Sequence, residues 1–269
     1  MSITDDAPMG VTETETVDVT VAQDTSLAPV PIVLSHTNAK VNILHFQGSS
    51  RNMFMGLMEE FASRATDIQL PMDFTLVTFA TGQHNIRRSP LIRQLVAAGV
   101  PFLNPVAEFD LAKWGRWSAT FRPEIVAETL RQIKTRYTLI LDGLDVAIQT
   151  FDNILTHFNT YDKAVLFGAT KSRHPNVFVD SVPNRDERGD FQWLNAGTCM
   201  GETLRLREFY DKVVSLDLSL NEHDSEQFMI RSAFATSQDY VDFDWKSKVF
   251  QTFGKSEVAQ AGNNTLRVT

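Results

Sequence analysis

From Lys40 onward, short apolar runs of strand length alternate with amphipathic stretches of helical period. That alternation restricts the fold most, because a run that is apolar at every residue needs cover on both faces, and the intervening helices must supply it. The expectation is an α/β domain with a mostly parallel sheet flanked by helices. The strand-like runs are residues 41–46, 74–79, 137–141 and 164–167, and the helical ones are 53–65, 90–98, 123–135, 151–158, 204–216 and 225–234. Pro123 stands at a first helical turn, where proline is tolerated, and Pro90 follows Ser89, a natural N-cap. Residues 171–192 are polar and charged and read as a long loop, of a length that is usually functional or mobile.

A chain of 269 residues has room for one large domain with a real core. Residues 1–28 hold little that can be buried against the entropy of ordering, so they read as an acidic mobile tail, with the domain spanning 29–269. The six acidic residues of that tail, with no Lys or Arg before Lys40, account for most of the net charge of −8. What remains is near balance, which leaves no basic face for nucleic acid. No apolar run is long enough to span a bilayer, and acidic residues follow Met1 where a secretory leader would be basic, so the expected location is cytoplasmic. The single cysteine, Cys199, is expected to be a small buried hydrophobe.

The sharpest local signal is Tyr137-Thr-Leu-Ile-Leu-Asp142-Gly-Leu-Asp145-Val. A buried strand ends there in two carboxylates across a glycine, at the sheet edge where open α/β folds bind ligands. Hard divalent cations such as Mn²⁺ or Mg²⁺ take oxygen ligands and keep positions open for substrate phosphates, so Asp142 and Asp145 are the candidate metal ligands. The competing reading makes them turn and cap residues.

Several further segments, in order, resemble the glycosyltransferase domain of procollagen lysyl hydroxylases and the related collagen galactosyltransferases, over roughly residues 73–253. They are Phe74-Thr-Leu-Val-Thr78-Phe-Ala80-Thr81, Leu139-Ile-Leu-Asp-Gly-Leu-Asp-Val146, Ala164-Val-Leu-Phe-Gly-Ala169, Trp193-Leu-Asn195-Ala-Gly-Thr-Cys-Met-Gly201, Asp224-Ser-Glu226-Gln227 and Phe243-Asp-Trp-Lys-Ser-Lys-Val-Phe-Gln251. The resemblance implies a Rossmann-like domain of the GT-A type that transfers a hexose from a UDP-sugar to a hydroxyl acceptor with Mn²⁺ or Mg²⁺. It implies nucleotide contacts at Thr78, Ala80 and Thr81, and at Leu144, which stands where the family commonly has an aromatic residue. It also implies a sugar contact at Asn195, with Asp224 or Glu226 as the carboxylate near the reacting sugar. Asn195 also reads as a turn residue, and Glu226 as the acidic first turn of a helix.

The family places a segment His-Gly-Asn-Gly-x-x-Lys after its Phe-Gln piece, whereas this sequence has no histidine beyond His223. A similar string stands near the front, Val41-Asn-Ile-Leu-His45-Phe-Gln-Gly48-Ser-Ser-Arg51. The implication is a circular permutation in which His45 is the third metal ligand, and Gly48 and Arg51 meet the diphosphate. Two other readings stay open: a degenerate nucleotide-sugar binder, and a Mg²⁺-dependent nucleotide enzyme of another chemistry. No phosphate-binding glycine motif favours the second of these. The acceptor, the donor sugar and the oligomeric state are not legible in the residues.

Overall fold

The computed structural model describes residues 32–34, 41–47, 68–107, 121–171, 189–216, 226–253, 259–262 and 265–268. The expected tail 1–28, the helix 53–65 and most of the loop 171–192 lie outside them. In chain order the elements begin with β1 (Ile32–Leu34), β2 (Ile43–Phe46), β3 (Phe74–Phe79), α1 (Gly82–Arg88), α2 (Pro90–Ala97) and α3 (Arg122–Gln132). They continue with β4 (Tyr137–Asp142), β5 (Val146–Ile148), α4 (Ile154–Asn159), β6 (Val165–Thr170), β7 (Trp193–Glu202) and α5 (Thr203–Ser215). The last are α6 (Glu226–Phe234), β8 (Val241–Phe243), β9 (Phe250–Phe253), β10 (Ala259–Gly262) and β11 (Thr265–Val268).

The central sheet has five strands in the order β3-β4-β7-β6-β8. Its strands explain why the apolar runs are continuous. Val77, Ile140, Cys199 and Phe167 line up across the ladder on one face, and Leu76, Leu139, Met200 and Leu166 line up on the other. The first row packs under α3, α5 and α6 through Ile125, Val126, Leu206, Phe209, Val213 and Ile230. The second packs against Leu91 and Leu95 of α2, Ile154 and Phe158 of α4, and Ile43, Val146, Ile148 and Phe250 of a second sheet. Each face is covered, so neither needs polar residues at alternate positions.

The sheet is mixed, where the alternation predicts mostly parallel. β3 with β4 and β6 with β8 are parallel pairs, but β7 runs antiparallel to both β4 and β6. The pattern gives no strand over 193–202 because glycines interrupt it. Those glycines are steric requirements: a Cβ at Gly201 would stand 2.5 Å from the Ala164 carbonyl oxygen. β7 also slips register opposite Phe167 and Gly168, so that Gly168 faces Asn195 while Phe167 faces Cys199.

The run 41–46 does form a strand, over Ile43–Phe46, but it lies outside the central sheet. It is the middle strand of a three-stranded sheet, β5-β2-β9, antiparallel to β5 and parallel to β9. A third sheet, β1-β11-β10, pairs Ile32 with Leu266 and Leu34 with Val268 in parallel. Among the described residues no helix is long and apolar enough to cross a membrane.

Candidate metal centre

β4 carries its chain to the sheet edge at Asp142, whose register partner is Phe79 of β3. The chain turns at Gly143, where a Cβ would lie 2.5 Å from the Phe79 carbonyl oxygen, so only glycine lets the turn pack this closely on β3. The turn is held from outside by α2. Ser89 accepts from the Ile92 N–H at 2.9 Å as that helix's N-cap, and its hydroxyl donates to the Gly143 carbonyl. Five residues further on, Gln94 donates to the Ile148 carbonyl at 2.5 Å and accepts from the Ile148 N–H at 2.8 Å. Both ends of the segment that contains Asp145 are thereby fixed.

β2 completes the arrangement. Its Phe46 N–H donates to the Asp145 carbonyl at 2.7 Å, and His45 is paired with Val146. The His45 ring, only 2% exposed, brings Nε2 to 3.7 Å from Asp142 Oδ2 and 3.7 Å from Asp145 Oδ1. One ligand atom from each of the three residues lies within 4.8 Å of the others. Donors about 2.2 Å from one cation and at right angles to each other would stand about 3.1 Å apart, so the two 3.7 Å pairs would each close by about 0.6 Å to hold an octahedral ion. The carboxylates stay open to solvent, at 27% for Asp142 and 17% for Asp145. Opposite them runs Gly197 of β7, where a Cβ would stand 2.6 Å from Asp142 Oδ2 and 2.8 Å from His45 Nε2. The chain keeps clear the volume between the donors.

Asp142 is itself oriented. Arg122, at the start of α3, donates from Nη1 to Asp142 Oδ1, which leaves Oδ2 for the cleft. The guanidinium lies 4.5 Å from the centroid of the Phe79 ring and 3.3 Å from Glu226 Oε1, a contact without hydrogen-bond geometry. Burial works against the Arg122 charge, but Asp142 and Glu226 outweigh it, and the group stays cationic throughout the working pH range. Burial pushes the Glu226 carboxyl up to about 8, with Arg122 drawing it down and Asp142 adding to the rise. Burial also pushes the Cys199 thiol up to about 12; the side chain is buried beside the Tyr210 hydroxyl, an inert core group as expected.

The remaining sequence candidates lie beside this centre, behind it or outside the described residues. Thr78, Ala80 and Thr81 run along the end of β3, beside the Asp142 turn. The Thr78 N–H is taken by the Leu103 carbonyl, and Asn104 bonds both the N–H and the carbonyl of Ala80. Leu144 is half-buried within the turn. Asn195 is not in a turn: it lies inside β7, nearly buried, accepting from the Gly197 N–H at 2.9 Å and donating to Gln47 Oε1 at 2.7 Å. Gln47 in turn donates to Thr170 Oγ1 at 2.8 Å, so the sheet edge carries a chain of amide groups next to His45. Glu226 is buried behind Arg122, while its neighbour Gln227 accepts from the Ala196 N–H at 2.6 Å and braces β7. Gly48, Arg51 and Asp224 lie outside the described residues. Arg122 and Gly197, which border the candidate centre, are not among the sites that the sequence points to. A cation in the first turn of a helix opposes the helix dipole, and that misfit was the legible sign that acids elsewhere hold Arg122. Neither a protein-family model nor a curated protein matches the chain in sequence.

Proposed function

We propose that this chain is a metal-dependent glycosyltransferase of the GT-A type that moves a hexose from a UDP-sugar to a hydroxyl acceptor. The observation that carries the reading is the convergence of His45 on Asp142 and Asp145, residues about a hundred positions away, at 3.7 Å to each carboxylate. No local spacing would bring that histidine there, whereas the resemblance to the collagen-modifying transferases assigns it the third ligand position. Further support comes from β1 beside β11, which brings the two ends of the described chain together, as a permutation requires.

In this reading His45, Asp142 and Asp145 hold Mn²⁺ or Mg²⁺, which supplies positive charge for the departing diphosphate. Arg122 keeps Asp142 Oδ2 turned into the cleft, and Gly197 leaves room for the ion. Thr78, with Ala80 and Thr81 just beyond β3, and Leu144 in the neighbouring turn flank the nucleotide, and Gly48 and Arg51 meet the diphosphate. Asn195, held by Gln47, addresses the donor sugar. Glu226 is buried behind Arg122 and holds its proton at neutral pH, so the base role is assigned to Asp224 and a supporting role to Glu226.

Isothermal titration with UDP, with and without Mn²⁺, tests the site, and release of UDP from UDP-glucose, UDP-galactose and UDP-N-acetyl sugars tests turnover. The expected result is Mn²⁺-dependent UDP binding that falls at least tenfold in Asp145→Asn, a change that keeps size and weakens ligation. Unchanged affinity and unchanged Mn²⁺ dependence in that variant would remove Asp145 from the site.

A further inference from the structure

The proposed centre uses one ring nitrogen of His45, and the other is left to account for. Nε2 faces the two carboxylates. Nδ1 is buried and has no hydrogen-bond partner among the described residues. A ring nitrogen shut away from water in that state is costly, and a metal-ligating imidazole ordinarily uses its second nitrogen to fix its tautomer and ring angle.

The β2 ladder offers two neighbours. On one side His45 pairs with Val146, which is apolar, and on the other with Thr252 of β9. Residues paired across neighbouring strands put their side chains on the same face. The next rung makes this visible: the rings of Phe46 and Phe253 stack with centroids 4.8 Å apart and planes within 12°. Thr252 is 1% exposed, and its hydroxyl oxygen also has no partner. Two buried hydrogen-bonding atoms, each unsatisfied, thus belong to residues of the same rung. Which way the threonine hydroxyl points is set by the choice among its staggered χ1 wells.

We infer that Thr252 is a positioning residue for the centre: its hydroxyl accepts the Nδ1–H of His45 and locks the ring with the Nε2 lone pair aimed between Asp142 and Asp145. The consequence for metal affinity rests on the proposed ligand role of His45, whereas the hydrogen bond itself does not.

The test uses the full chain at a fixed pH near 7.5, with ¹⁵N-labelled histidine and the variants Thr252→Val and Thr252→Ser. In the metal-free wild type the His45 Nδ1 proton should be observed and exchange slowly. Thr252→Val, which keeps the shape and removes the acceptor, should abolish that protection, and Thr252→Ser should retain it. Titration with Mn²⁺ should then show affinity lowered about ten- to a hundredfold in Thr252→Val and restored to near wild type in Thr252→Ser. If the wild type binds no Mn²⁺, the ligand reading fails and the Nδ1 proton still decides the bond. The inference is overturned if Nδ1 carries no proton in the wild type, a result that does not depend on any variant folding. It is equally overturned if Thr252→Val matches wild type in both proton exchange and Mn²⁺ affinity.

Discussion

A methyl group added at Gly197 would stand 2.6 Å from Asp142 Oδ2 and 2.8 Å from His45 Nε2, distances that real Cβ atoms do not reach. Both contacts are with the proposed donors, so Gly197→Ala is expected to spread them apart while the strand, already extended there, survives. Mn²⁺ affinity measured by calorimetry should fall by roughly ten- to a hundredfold; an unchanged affinity would mean that the ion sits elsewhere. Behind Asp142, Glu226 makes a prediction with a definite sign. Its folded value of about 8 lies above the ordinary 4.5, so the folded state holds a proton that the unfolded state has released. Stability from this group is complete below about pH 4.5 and is lost as pH rises toward 8. Glu226→Gln removes the titration. Its urea-unfolding free energy relative to wild type should therefore climb in the variant's favour across that window, and a difference that stays flat with pH would refute the assignment. The residues mark Arg122 only as a cation ill placed in a first helical turn; which acids it meets is set by the packing of α3 and α6 against β4, which brings Asp142 and Glu226 to it.

Among the elements, α2 does more than cover the sheet. Ser89→Ala removes the cap of that helix and leaves the Gly143 carbonyl, which turns the chain between the two aspartates, without its donor. Losing a cap costs about 1 kcal/mol and orphaning a buried carbonyl about 1–3 kcal/mol, so a destabilisation of about 2–4 kcal/mol is expected in urea denaturation. A change below about 0.5 kcal/mol would mean that water replaces the serine. This helix was readable in advance from Ser89-Pro90 and its apolar spacing. So were β3, β4 and β6, because a strand buried on both faces shows as an unbroken apolar run. β7 was hidden by glycines that serve the site and the packing of its neighbours. β5, β8 and β9 span three or four residues each and carry no period to detect. Asp142 and Asp145 could be read from their place at a strand end. His45 could be read only through the family likeness, since its neighbours Val146 and Thr252 are set by ladders that the residues do not encode locally.

For the whole molecule, the acidic composition of residues 1–28 predicts that a chain beginning near Ala28 keeps its melting temperature within a few degrees; a larger loss would show that this segment packs on the domain. The pairing of β1 with β11 predicts that the chain can be re-ordered. Thr269 joined to Pro29 by a short glycine-serine linker, with new termini opened before Ile68, puts the His45 segment last. That variant should fold and retain Mn²⁺ binding in titration, and a well-folded product without binding would count against the permutation.

β2 sits between β5 and β9, and on the ribosome those neighbours arrive late. About 100 residues separate His45 from β5 and about 200 from β9, which at roughly 5–20 residues per second is an interval of about 10–40 seconds before the sheet can close. Until then the nascent chain exposes an apolar strand with at least one edge open, the kind of segment that pairs with the wrong partner. The histidine at the heart of the proposed centre is therefore among the first functional residues made and the last to be housed. The yield of competent protein should depend on how fast the message is read, as well as on how stable the finished fold is.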